Sequence, residues 1–276
     1  MRPLTSYLVC ATPRSGSTLL CHLLDQAGIA GHPQEYFEAL RHSGQPRRPE
    51  EYFDPARHAN IIERLAFREM PGADIVHQPN PLWSRETYDQ YLQWAIGEGT
   101  TGNGVFGAKL MWGYLGDFAD LLRTIDGLQA LPIPQLLNEI FPGLRYVQIT
   151  REDKVRQAIS LWKAVQTQAW RHEGDTARSE VHFSFRAINY LVRLLTAHDA
   201  SWDAYFLGLG RRPLKVTYEE LAAAPETTVR RVIEHLDIDV PETLRLEAPR
   251  LKVQADATSE EWVERFNEHL AALETE

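Results

Sequence analysis

Four short apolar runs punctuate the chain, at Tyr7–Thr12, Val105–Trp112, Tyr146–Thr150 and Leu214–Tyr218. They are mostly continuous rather than alternating, which is the pattern of strands buried on both faces of a parallel sheet. Between them the apolar period becomes helical. Ser17–Ala27 follows the first run at once and carries Leu19, Leu20, Leu23 and Leu24 along one side. Phe185–Phe206 sets Ile188, Leu191, Val192, Leu195, Trp202 and Phe206 close to helical spacing. Val155–Arg171, Thr227–Leu236 and Glu260–Leu273 complete the predicted helices. Strands alternating with helices predict an α/β fold with a central, mostly parallel sheet flanked by helices. No internal repeat or long Gly/Ser linker divides residues 1–276, so one domain is expected. Ser43–Pro55 and Pro71–Trp83 are rich in proline and read as loops, and the stretch from about 40 to 100 is expected to wall a binding pocket.

Composition narrows the partners. Hydrophobic residues make up 43% and charged residues 24%, as in a soluble globular protein. No stretch approaches the roughly 20 apolar residues of a membrane helix, and the start MRPLTSYLVCAT is a poor signal peptide, so a cytoplasmic protein without a membrane span is expected. A formal net charge of −9 argues against a nucleic-acid partner. The two cysteines, Cys10 and Cys21, offer neither a disulfide framework nor a zinc spacing and read as small core residues.

The most informative segment is residues 7–20, YLVCATPRSGSTLL. An apolar strand runs into a tight polar loop and a helix starts immediately. That order gathers unpaired backbone N–H groups and the positive end of a helix dipole at one point, which favours a phosphate. Gly16 allows close backbone approach, Ser15, Ser17 and Thr18 add hydroxyl donors, and Arg14 adds a cation. The Walker pattern differs, because here the single glycine follows the cation instead of preceding it.

Pro13-Arg14-Ser15-Gly16-Ser17-Thr18 resembles the 5′-phosphosulfate loop of sulfotransferases that use PAPS (3′-phosphoadenosine 5′-phosphosulfate). Arg151 and Ser160, after the strand Arg145–Thr150, are similar to the Arg…Ser pair that holds the 3′-phosphate there, although they stand nine residues apart where eight is usual. Val216–Leu221, which includes Tyr218, resembles the late strand end of the same superfamily. More narrowly, the segments 31–37 (GHPQEYF), 107–112 (GAKLMW) and 162–167 (WKAVQT), with Glu261-Trp262 near the C-terminus, look like the bacterial trehalose 2-sulfotransferase family. The resemblance implies a P-loop-like sulfotransferase fold, PAPS as donor with PAP as product, no metal, a sugar or glycolipid acceptor, and a homodimer.

Within that resemblance, in-line sulfonyl transfer needs donors where charge grows on the leaving oxygen and a base for the acceptor hydroxyl. Arg14 and the N–H groups of residues 15–18 can supply the first. Glu35 is the candidate base, with Gln34 beside it, and it can alternatively position the sugar. Lys109 sits alone in an apolar strand, so it is expected to emerge beside a charged ligand or to lie exposed on an edge. The resemblance places it at the bridging oxygen. His32 is a rival base, but the histidine of the cytosolic branch stands two residues after the strand lysine, where this chain has Met111. Trp112 falls in one of the matching motifs and is expected near the acceptor. Trp162, Gln166 and Trp170 share one helix face and can either bind a sugar or pack in a core. Arg156 and Lys163 face the cofactor or solvent. A small-molecule kinase would demand a Walker lysine and a magnesium-binding aspartate, neither of which is recognisable. A non-catalytic nucleotide-binding module fits poorly with Arg14, Glu35 and Lys109 all being present.

Overall fold

The computed structural model describes residues 3–38, 87–141, 143–167, 181–241, 244–246 and 257–274. The four apolar runs form four parallel strands, β1 (Thr5–Ala11), β2 (Val105–Met111), β3 (Arg145–Thr150) and β4 (Leu214–Thr217), in the order β2-β1-β3-β4. The register pairs Ala11 with Met111 on one side and with Ile149 on the other. Every residue of β2 is buried, as the continuous apolar run predicts. The chain leaves β1 for β2 on one side and later returns to β3 on the other. The crevice between the carboxyl ends of β1 and β3 is thus a topological switch point, where open α/β sheets bind ligands.

Around the sheet lie α1 (Ser17–Gln26), α2 (Tyr88–Glu98), α3 (Trp112–Leu122), α4 (Ile133–Ile140), α5 (Lys154–Thr167), α6 (Phe185–Leu209), α7 (Tyr218–Ala223), α8 (Pro225–His235) and α9 (Ala257–Glu274). The sequence reading missed α2, α3, α4 and α7. Trp112 and Tyr218, expected at strand ends, each open a helix instead. After β2 the buried positions Tyr114, Leu115, Phe118, Ala119 and Leu122 recur at helical spacing directly behind the strand, so the period switches without a loop to announce it. At Tyr218 a capping box decides the boundary: the Thr217 hydroxyl accepts from the Glu220 N–H, and the Glu220 side chain returns to the Thr217 N–H. Pro225, expected to precede α8, occupies its first turn, where its missing N–H costs nothing. The expected loops at 43–55 and 71–83, and residues 168–171 of the helix predicted at Val155–Arg171, lie outside the described residues.

Two cores result. The larger surrounds the sheet and includes Tyr7, Leu20, Leu24, Phe106, Phe118, Trp202 and Val216. The smaller joins α5, α6 and α9 through Ile159, Trp162, Leu191, Leu195, Trp262 and Phe266. Cys10 and Cys21 are buried and free, and burial pushes the Cys21 thiol up to about 12. No helix among the described residues is long and apolar enough to cross a membrane.

Candidate active site

The loop after β1 turns on two left-handed residues, Arg14 (φ 63°) and Gly16 (φ 87°). A side chain at φ > 0 costs about 1 kcal/mol, and such strain clusters at ligand clamps. Gly16 is required twice over, because a Cβ there would lie 2.7 Å from Cδ2 of Tyr218. It is also the N-cap of α1 and offers no side-chain cap, so the first amides of the helix present themselves as donors. Arg14 Nε donates to Ser160 Oγ at 2.9 Å. Burial and then the charge of Arg151 hold the Arg14 guanidinium below its usual value, so two cations share this end of the site. The Arg151 guanidinium lies 4.5 Å over the Tyr218 ring. Arg151 Nε and Ser15 Oγ are buried without a hydrogen-bond partner. Buried polar atoms are nearly always paired, so the unsatisfied Ser15 and Arg151 donors, together with Arg14, have the chemistry to receive an anion.

A second group assembles at β2. Residues 31–34 run along the outer edge of that strand: His32 N–H donates to Gly99 O, Lys109 N–H donates to Gln34 O at 2.9 Å, and Gln34 bridges Ala108. Gly31 (φ 72°) permits this approach, since a Cβ would lie 2.6 Å from the Gly107 nitrogen. Phe37, stacked on Phe118 at 4.2 Å, anchors the segment in the core. Glu35 is thereby delivered to Lys109, at 2.5 Å, and Lys109 also donates to Thr18 Oγ1 at 3.1 Å. Lys109 is 4% exposed and Glu35 is 22% exposed. The strand lysine therefore has the partner its burial demands, and one ammonium links the candidate base to the first turn of α1. His32 is turned to Asp25, 2.6 Å away, instead.

Beneath the loop lies a polar cluster that sequence reasoning missed. Asp199 of α6 accepts from Thr12 Oγ1 at 3.2 Å and from Thr150 Oγ1 at 2.6 Å, and pairs with Lys154 at 2.5 Å. The fully buried Gln157 donates to Thr12 Oγ1 and to Pro13 O, and accepts from Lys154. Glu219 accepts the backbone N–H groups of Glu152 and Asp153, fixing the turn after Arg151. One signal was available: Leu191, Leu195, Asp199, Trp202 and Phe206 share one face of α6, and a carboxylate in an apolar stripe marks a buried polar contact.

The remaining predicted site residues separate. Gln34 is exposed and Trp112 is half-buried with its ring edge-on to Trp202, at the end of β2. Trp162 and Gln166 turn away into the smaller core. Trp162 Nε1 donates to His182 O at 2.7 Å, while Gln166 donates to the same carbonyl and accepts the His182 N–H. Both polar ends are spent on the His182 backbone and both side chains are buried, an arrangement that suits the core alternative of the helix face. Trp170 lies outside the described residues. Arg156 and Lys163 bind Glu260 and Ser259, tying α5 to α9.

The Stf0 sulphotransferase family model matches residues 6–269. A trehalose 2-sulfotransferase of Mycobacterium tuberculosis (strain Erdman) is 35% identical over 274 residues, covering 96% of this chain and 95% of its own. Another, from Mycolicibacterium smegmatis, is 33% identical over 271 residues, covering 95% and 94%. The crystal structure of a sulfotransferase from Alicyclobacillus acidocaldarius shares the fold, with a TM-score of 0.51 at 15% identity over 100% of this chain and 95% of that one. A match that runs through the phosphate-loop segment, the Glu35–Lys109 pair and nearly all the rest of the sequence places the chain in the Stf0 sulphotransferase family.

Proposed function

We propose that the protein transfers the sulfonyl group of PAPS to a hydroxyl of trehalose, the 2-hydroxyl named for its relatives, with Glu35 as general base. The observation that carries this reading is the Lys109 ammonium shared between Glu35 and Thr18, which sets a carboxylate beside a phosphate-type helix N-terminus. The residues fit such a donor: Ser15 Oγ and Arg151 Nε are buried donors without partners, and Gly16 puts no side-chain cap on the first amides of α1. Arg14, Ser15, Gly16, Ser17 and Thr18 would hold its 5′ side. Arg151 and Ser160 would hold the 3′-phosphate, and Tyr218 would line the same donor site. When bound, PAPS supplies the sulfonyl group and leaves as PAP.

The chain's own residues divide the remaining work. Glu35 takes the hydroxyl proton, and Gln34 and Trp112 border the acceptor. As Glu35 loses its charge, the Lys109 ammonium is left without a counter-ion and is available to the negative charge growing on the donor side. Base and electrophile are thus coupled through one side chain. Among the described residues no group of three His, Cys, Asp or Glu could hold a metal ion.

The test is calorimetric titration with PAP, with and without EDTA, beside ATP–magnesium, followed by transfer from PAPS to trehalose. Binding of PAP in EDTA and formation of trehalose sulfate are expected. Glu35→Gln should bind PAP normally and lose roughly 10²- to 10⁴-fold in turnover. Binding of ATP–magnesium alone would replace the reading with a kinase, and near-normal turnover of Glu35→Gln would remove it as the base.

A further inference from the structure

We infer that Asp199 is a positioning residue that sets the separation of Arg14 and Arg151 across the β1/β3 crevice. The inference rests on the functional reading above, and on a different set of contacts. Thr12 follows the last residue of β1 and Thr150 ends β3, and the register brings these positions side by side. Each hydroxyl donates to a different oxygen of the Asp199 carboxylate. The two strand ends are therefore latched by one group on α6. Arg14 lies two residues beyond the first latch point and Arg151 one residue beyond the second, so the latch acts at the roots of both arginines.

The arrangement answers a physical need. Two neighbouring guanidinium groups repel, and without a bound anion that repulsion would push the loop and the β3 end apart if nothing tied them. A rigid tie beneath them keeps the anion site preformed, which reduces the ordering cost of binding. The tie also avoids competing with the ligand. Asp199 is neutralised by Lys154, and Lys154 in turn donates to Thr150 Oγ1, to the Arg151 carbonyl and to Gln157. Gln157 closes the lattice on Thr12 Oγ1 and the Pro13 carbonyl, immediately before Arg14. The second nearby carboxylate, Glu219, is occupied by backbone N–H groups. No ion pair to Arg151 forms among the described residues, so its charge stays directed at the anion.

The experiment compares wild type, Asp199→Ala, Asp199→Asn and the double variant Thr12→Val/Thr150→Val by PAP calorimetry, steady-state kinetics and thermal unfolding. Asp199→Ala should raise the PAP Kd and the KM for PAPS at least about tenfold, a loss of 1.4 kcal/mol. The KM for the acceptor should stay within about twofold. Asp199→Asn keeps one carbonyl acceptor and should recover part of the loss. The double valine variant keeps side-chain volume and the Asp199–Lys154 pair, and should reproduce the weaker PAP binding even if Asp199→Ala fails to fold. Wild-type PAP affinity in either folded variant would overturn the inference. So would a fall in kcat with both KM values unchanged, which is the mark of a smaller active fraction. Failure of wild type itself to bind PAP would instead overturn the functional reading.

Discussion

Gly16→Ala perturbs the site through one methyl group, and its cost can be worked from the structure. The residue keeps φ at 87°, which charges alanine about 1 kcal/mol for the left-handed backbone. The new Cβ also falls 2.7 Å from Tyr218 Cδ2, a ring atom that must move. That ring carries the Arg151 guanidinium at 4.5 Å, a contact worth about 0.5–2 kcal/mol. Gly28 supplies the control. It has φ 69° with open space around its would-be Cβ, so Gly28→Ala meets the backbone cost alone. Gly28→Ala should lose about 1 kcal/mol of stability, roughly 2–4 °C in Tm for a chain of this size, and Gly16→Ala should lose more because the Tyr218 ring must also move. Only Gly16→Ala should weaken PAP, with a Kd raised at least about tenfold by calorimetry. Equal PAP affinity in the two alanine variants would refute the claim that Gly16 is there to let Tyr218 support Arg151.

Lys109→Met removes the ammonium but keeps the stem, and should cut turnover about 10²- to 10³-fold, as loss of one fixed electrostatic donor does. It strands Glu35, at a stability cost of about 1–3 kcal/mol, below that of a fully buried pair because Glu35 is 22% exposed; retained turnover in a kinetic assay would count against it. Trp162→Phe loses the hydrogen bond to His182 O and should lower stability by about 1–2 kcal/mol in urea unfolding while leaving the acceptor KM unchanged. A selective rise in that KM would restore its sugar-binding role. Burial, aided by the charge of Arg145, holds His235 below its ordinary value near 6.5, against a backbone hydrogen bond and Asp237. The unfolded chain therefore takes up the proton first on acidification, so the contribution of His235 is full above about pH 6.5 and is lost as pH falls through the lower, folded value. His235→Gln should flatten the stability–pH curve below about pH 6.5, and parallel curves for variant and wild type would exclude His235 as its source.

Local chemistry was legible in the sequence wherever it acts over a few residues. The buried runs predicted β1 to β4 to within two residues at each end, because a strand covered on both faces has no polar positions to disguise it. The loop 13–18 was legible because a left-handed turn into a helix N-terminus needs a glycine and small donors in a set order. The helices α2, α3 and α4 were not, since α3 begins without a loop and its period is masked by the strand before it. Glu35 and Lys109 were both singled out, but their pairing was not, for 74 residues of unrelated spacing separate them in the chain.

Tertiary structure decided which polar groups converge. Arg14 meets Ser160 across 146 residues and Thr12 meets Asp199 across 187, distances over which no periodicity or propensity carries information. Only the strand order and register bring them together. The same applies to Trp162 and Gln166: helical spacing placed them on one face, and the packing of α5 against α6 and α9 determined that this face is core. Sequence alone determined the strands, the left-handed 13–18 loop into α1 and the residue types a transfer site requires. The β2-β1-β3-β4 order determined that two arginines flank one crevice, because adjacency in a sheet is settled by long-range burial rather than by any local preference.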